Sequence, residues 1–157
     1  MFFLDVGYVN EKYMKQFILF SLFAGGLMLM AFVWNFDDSK AETSIQFTDA
    51  RWDDLLAKAK TENKIIFVDI YATWCGPCKL LKKTTFTDKE VGEYFNANFI
   101  NATFDGEKEE GRKLVEQYGL HSYPTMLFIN PDGSIRKAAI GYHSANQLLK
   151  TAKTVVN

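Results

Sequence analysis

The spacing of apolar residues predicts alternating strands and helices from residue 44 onward. The run 65–68 is continuously β-branched or aromatic, which is typical of a strand buried on both faces. A short first strand is predicted at 45–47, and Thr48 is a suitable N-cap for the helix that follows. That helix has four apolar residues on one face, at three- and four-residue intervals: Trp52, Leu55, Leu56 and Ala59.

The same signals predict the remaining elements. Further helices are predicted to begin at Lys79, at the capping sequence 87–90 and after Ser144, and another is predicted over 108–118. Further strands are predicted over 99–104, 125–129 and 134–140. Gly119 is placed to end the helix at 108–118. The last helix is expected to bury Leu148, Leu149, Ala152 and Val156. The resulting order, βαβαβαββα, implies an α/β fold with a mixed sheet flanked by helices.

The N-terminal part of the chain carries an uncharged apolar run at 17–34, between Lys15 and Asp37. A helix of this length can span a bilayer, and lysines on its N-terminal side favour keeping that end in the cytoplasm. Whether the run is cleaved stays open, and the alternative is a buried helix of a soluble protein. We therefore expect four segments: a flank at 1–16, a membrane anchor or signal segment at 17–34, a linker at 35–43 and a folded domain at 44–157.

The composition excludes several classes of protein and of metal site. With 18 Lys+Arg against 19 Asp+Glu, the chain lacks the basic surplus that is typical of nucleic-acid binders. A hydrophobic content of 48% indicates a globular domain. Only two cysteines are present, which excludes a disulfide-stapled scaffold and a four-thiolate zinc module. Both cysteines are therefore available for chemistry.

Cys75 and Cys78 lie where a predicted strand passes into a helix. Free N–H groups at a helix N-terminus stabilise a thiolate, which is the form that attacks disulfides. We expect Cys75 to be the exposed attacking thiol and Cys78 the resolving thiol, with Pro77 suited to the first helical turn. The alternatives are two inert thiols or half of a metal site, although His121 and His143 do not match a zinc-finger spacing.

Asp69 lies six residues before Cys75, in a strand that is otherwise apolar. Burial would raise the pKa of its carboxyl group, because the charged form is disfavoured away from water. The carboxylate could then accept the proton of Cys78 near neutral pH. The alternative is a surface aspartate at the end of a strand.

Three segments resemble the thioredoxin superfamily. Residues 68–79 (VDIYATWCGPCK) resemble its active-site segment, and residues 118–125 (YGLHSYPT) resemble the signature that contains its cis-proline. Residues 84–91 (TTFTDKEV) resemble a narrower branch, which includes the C-terminal domain of the bacterial transmembrane thiol-disulfide reductases of the DsbD type. The resemblance covers 44–156 and implies a thioredoxin fold with a central five-stranded sheet.

The resemblance also implies the roles of individual residues. Many thioredoxins place a lysine of a neighbouring strand near the carboxylate that matches Asp69, but 99–104 contains none. The implied residues are catalytic Cys75, Cys78 and Asp69, the motif residues Trp74, Gly76, Pro77 and Lys79, and substrate-binding Tyr123, cis-Pro124 and Gly141.

The expected function is that of an exported thiol-disulfide oxidoreductase, extracytoplasmic or periplasmic, that reduces protein disulfides without a cofactor or a bound metal. The Gly-Pro pair between the cysteines resembles reducing thioredoxins, while isomerisation or oxidation stays an alternative. A thiolate carrier of Cu(I) or zinc is the alternative from another class. The expected partners are disulfide-containing proteins, an upstream thiol donor such as a membrane reductase, and the membrane through 17–34, with no nucleic acid.

Overall fold

The computed structural model describes residues 44–156, so the predicted segments at 1–16, 17–34 and 35–43 lie outside the described residues. No helix within 44–156 is long and apolar enough to cross a membrane. The elements in this range are α1 (Trp52–Glu62), β1 (Ile65–Tyr71), α2 (Gly76–Thr84), α3 (Lys89–Asn98), β2 (Phe99–Asp105), α4 (Glu109–Gln117), β3 (Thr125–Ile129), β4 (Ile135–Ile140) and α5 (Ala145–Val156).

The strands form one mixed sheet in the order β2-β1-β3-β4. β1 is parallel to β2 and antiparallel to β3, and β3 is antiparallel to β4. A parallel pair needs a crossover connection, and α2 and α3 provide it between β1 and β2. The predicted α/β class with a mixed sheet is therefore confirmed. The central position of β1 explains its continuous apolar sequence, because helices cover both of its faces.

The predicted first strand at 45–47 is wrong, and the described part of the chain has four strands where five were expected. A strand needs repeated hydrogen bonds to one neighbour. Here the amide of Ile45 donates to the carbonyl of Phe86 at 2.9 Å, whereas the amide of Gln46 donates to the side chain of Asn96 at 2.8 Å. These two partners belong to a loop and a helix, and not to one neighbouring strand.

Two helix starts also differ from the sequence prediction. Thr48 does not cap a helix, because α1 begins only after Arg51, whose side chain makes no capping hydrogen bond. In α3 the N-cap is Asp88 and not its neighbour Thr87. The Asp88 carboxylate accepts a hydrogen bond from the amide of Val91 at 3.1 Å, which satisfies one of the free N–H groups of the first turn.

Helices cover both faces of the sheet. α1 and α4 pack on one face, and α2, α3 and α5 pack on the other. In α5 the buried valine is Val155, while Val156 is exposed, which corrects the predicted inner face by one residue. Side chains of β1 alternate between the faces, so Asp69 projects from the same face as Phe67. The core on that face holds five buried phenylalanines: Phe67, Phe86, Phe95, Phe99 and Phe128.

Candidate active site

A disulfide joins Cys75 and Cys78 at the start of α2. Cys75 is the N-cap residue, and its Sγ accepts a hydrogen bond from the amide of Cys78 at 3.1 Å. Pro77 lies in the first turn, where its missing N–H removes no intrahelical bond. When the disulfide is reduced, a Cys75 thiolate at this position is stabilised by the N–H groups and the dipole of α2.

Both cysteines are buried, with 3% of Cys75 and 6% of Cys78 exposed. The expectation that Cys75 is exposed is therefore wrong for the disulfide form. The two residues share a small buried cluster with Ala72, and Tyr71 and Tyr123 pack against that cluster. Access to the disulfide consequently depends on the side chains that surround it.

Trp74 stands beside the disulfide with 66% of its surface exposed. Its indole N–H donates to the carboxylate of Glu107 at 2.9 Å, and its ring lies edge-on to that of Tyr123 at 6.1 Å between centroids. Gly76 and Lys79 are exposed on the adjoining surface of α2. Glu107 was missed by the sequence analysis, because a contact across 33 residues leaves no local signal.

Tyr123, Pro124 and Gly141 lie close together, and Tyr123 packs against the disulfide cluster. The Tyr123–Pro124 bond is cis, as predicted, and the carbonyl oxygen of Pro124 accepts from the amide of Gly141 at 2.8 Å. Gly141 has a φ of 81°, a left-handed conformation that favours glycine. Gly106 leaves room for the Tyr123 ring, since a Cβ there would lie 2.5 Å from the Tyr123 hydroxyl oxygen.

Asp69 is buried in β1, with 6% of its surface exposed. Burial raises the pKa of its carboxyl group to about 7, while the hydrogen bond from Thr103 and the charge of Lys82 act in the opposite direction. The Thr103 hydroxyl donates to Oδ2 at 3.2 Å, and Oδ1 has no hydrogen-bond partner among the described residues. Thr103 is the residue of β2 that pairs with Asp69, and Lys82 comes from α2.

A cavity of about 420 Å³ connects Asp69 with the redox pair. Asp69 and Cys78 both line it, and a cavity of this size admits water between polar groups. The cavity therefore leaves space for water between the carboxyl group of Asp69 and the Cys78 sulfur. The other lining residues are Phe47, Tyr71, Ala72, Thr73, Lys79, Lys82, Phe86 and Thr103.

Neither histidine belongs to the disulfide cluster or lines the cavity at Asp69. His121 is exposed, and His143 is half-buried with its Nδ1 at 3.1 Å from the carbonyl oxygen of Gly141. Across residues 44–156, no group of three or more His, Cys, Asp or Glu side chains is placed to hold a metal ion.

Comparison with known proteins agrees with this geometry. The family model of the thioredoxin-like domain matches residues 52–155. The chain belongs to the thioredoxin-like family. A solved structure of a proposed disulphide-isomerase from Bacteroides thetaiotaomicron is 43% identical, with a TM-score of 0.65, over 73% of this chain and 95% of that one.

Other relatives of this thioredoxin-like chain are named as thiol:disulfide interchange proteins or as thioredoxins. The thiol:disulfide interchange protein DsbD of Pseudomonas fluorescens is 32% identical over 53% of this chain, which spans only 14% of that relative's length. Thioredoxin-1 of Drosophila melanogaster is 35% identical over 43% of this chain and 59% of its own length. The C-terminal domain of Neisseria meningitidis DsbD shares the fold, with a TM-score of 0.54 and 24% identity.

Proposed function

We propose that the protein is an exported thiol-disulfide oxidoreductase that reduces protein disulfides through the Cys75–Cys78 pair. The observation that carries this proposal is the disulfide at the N-terminus of α2, which shares a cavity with the buried carboxyl group of Asp69. The names of the relatives, which are thiol:disulfide interchange proteins and thioredoxins, support the same class of reaction.

The reaction proceeds in two exchange steps. The Cys75 thiolate attacks one sulfur of a substrate disulfide, which forms a mixed disulfide and releases the other substrate sulfur as a thiolate. Asp69 accepts the proton of Cys78, and the Cys78 thiolate then attacks the Cys75 sulfur. The second substrate thiol leaves, and the Cys75–Cys78 disulfide remains. Two electrons have passed from the cysteine pair to the substrate, and an upstream thiol donor must return them.

Residues around the disulfide form the proposed binding surface for protein substrates. Trp74 and Tyr123 offer aromatic rings, and the turn at Gly141 lies next to Pro124. A disulfide-containing segment in an extended conformation can lie along the backbone of Tyr123 and make strand-like hydrogen bonds there. Such bonds involve the substrate backbone, so the surface fits many sequences.

The direction of the reaction can be tested by the reduction potential of the Cys75–Cys78 pair. Because the two cysteines flank Gly76 and Pro77, we expect equilibration with glutathione to give a potential near that of thioredoxin, about −270 mV. A value near that of the oxidase DsbA, about −120 mV, would show that the protein donates disulfides. An intermediate value of about −180 mV would favour isomerisation, the activity for which the Bacteroides relative is named.

The proposed layout of the chain is a flank at 1–16, a membrane anchor or signal segment at 17–34, a linker at 35–43 and the redox domain at 44–157. To test this layout, a reporter enzyme is fused to the chain after Ala41. The reporter is one that is active only with its disulfides formed, and disulfides form outside the cytoplasm. We expect an active reporter, and removal of 17–34 should abolish its activity. A reporter that is produced at the normal level but stays inactive, with its cysteines reduced, would disprove export.

A further inference from the structure

We propose that Thr85 is a positioning residue for protein substrates, because its hydroxyl ties the loop around Gly141 to the helix that carries the redox cysteines. This inference rests on the proposed function and concerns how the same site holds its substrate. Thr85 lies in the segment 84–91, and the exchange reaction itself leaves Thr85 without a role.

Thr85 is a buried polar residue directly after α2. Only 1% of its surface is exposed, and its amide donates to the carbonyl of Leu81 at 2.9 Å. Its hydroxyl donates to the carbonyl oxygen of His143 at 2.7 Å, across 58 residues of sequence. Because leaving the buried Thr85 hydroxyl without a partner would cost free energy, this hydrogen bond holds His143 against the end of α2.

Two further hydrogen bonds connect His143 to the segment that contains Tyr123 and Pro124. His143 Nδ1 lies 3.1 Å from the carbonyl oxygen of Gly141, a pairing in which the ring N–H donates. The amide of Gly141 donates to the carbonyl of Pro124, next to Tyr123 in the wall of the disulfide cluster. Three hydrogen bonds therefore link the end of α2, through the loop around Gly141, to Pro124, which follows Tyr123.

The loop around Gly141, which these hydrogen bonds hold against α2, exposes apolar side chains to the solvent. Ile140 is 65% exposed and Tyr142 is 42% exposed, on either side of Gly141. The Tyr142 hydroxyl lies 3.4 Å from that of Thr84, so a second contact joins the loop to α2. Exposed apolar side chains on a loop that is hydrogen-bonded to Pro124, next to Tyr123, suit the apolar segments of an unfolded protein. A small disulfide needs only the cysteines and gains nothing from this surface.

The test compares Thr85→Val, which keeps the shape but removes the hydroxyl, with the parent on two substrates. For an unfolded protein disulfide, we expect KM to rise about three- to tenfold, the equivalent of one net hydrogen bond, with kcat nearly unchanged. The rate with a small hydrophilic disulfide should stay the same. Thr85→Ser should restore KM. Thr87→Val is the matched control, because its hydroxyl donates to Lys83 on the exposed side of α2.

A second variant keeps the test decisive if Thr85→Val folds poorly. His143→Ala removes the ring that contacts Gly141 and should raise KM in the same selective way. An unchanged KM in a folded Thr85→Val or in His143→Ala would overturn the inference, and so would an equal loss with the small disulfide. A parent that reduces neither substrate would instead contradict the proposed function.

Discussion

Replacing Cys75 with serine is expected to lower the rate of protein disulfide reduction by at least about a thousandfold, because a nucleophile is removed from the reaction. The Cys75 sulfur lies at the N-cap of α2, where the helix stabilises its thiolate, and a hydroxyl gains no comparable nucleophilicity. The measurement is the initial rate of substrate thiol release from a protein disulfide by the reduced enzyme.

The matched reference for Cys75→Ser is the reduced parent, since neither protein then has the disulfide. Both should show the same circular dichroism spectrum and a similar melting temperature. A Cys75→Ser protein that is folded and keeps more than a small fraction of the parental rate would mean that the first attack comes from another group.

Replacing Asp69 with asparagine is expected to stabilise the fold and to slow the release of the substrate. The pKa of the buried carboxyl group is raised to about 7, mainly by desolvation, against an ordinary value of about 3.9. Between these two values the unfolded chain is ionised while the native carboxyl keeps its proton, so the free energy of unfolding falls as pH rises. Above about pH 7 the full destabilisation is present.

The stability gain of Asp69→Asn should therefore depend on pH. We expect it to grow from near zero at about pH 4 to about 2–4 kcal/mol at about pH 8, from a shift of about three pKa units. Denaturant unfolding of the oxidised protein at the two pH values measures it. A variant that is less stable than the parent at the higher pH would show that ionisation of Asp69 costs the native state little.

The kinetic effect of Asp69→Asn should appear in the second exchange step. Because Cys78 loses its proton acceptor, resolution of the mixed disulfide should slow about tenfold to a hundredfold, whereas attack by Cys75 should change less. Thr103→Val is the control: it removes a hydrogen bond that lowers the pKa of Asp69 and should move the pH dependence to higher pH without abolishing it. Parental resolution in Asp69→Asn would exclude Asp69 as the base.

Much of the fold could be predicted because its signals are local. β3 lies at the predicted residues 125–129, and the apolar run at 65–68 lies inside β1. Each signal depends on neighbouring residues, since burial on two faces requires a continuous apolar run. The burial of Asp69 followed in the same way, because a single carboxyl in such a run has no exposed face to occupy.

Features that depend on distant partners could not be predicted. The segment 45–47 has the composition of a strand, but its amides bond to a loop and a helix. Cys75 is at the helix start as expected, yet its burial comes partly from Tyr123, which is brought there by β3 and the turn before it. The hydrogen bond between Trp74 and Glu107 could not be predicted either, because these residues lie 33 positions apart and no local pattern relates them.

Trapping of the covalent intermediate tests most directly that Cys75 attacks and Cys78 resolves. In Cys78→Ser the first step remains possible and the second is removed, so a protein substrate should accumulate as a one-to-one mixed disulfide through Cys75. Mass spectrometry before and after reduction identifies this complex and its linkage. The account predicts abundant complex with Cys78→Ser and little with Cys75→Ser. Equal amounts with the two variants, or more with Cys75→Ser, would contradict it.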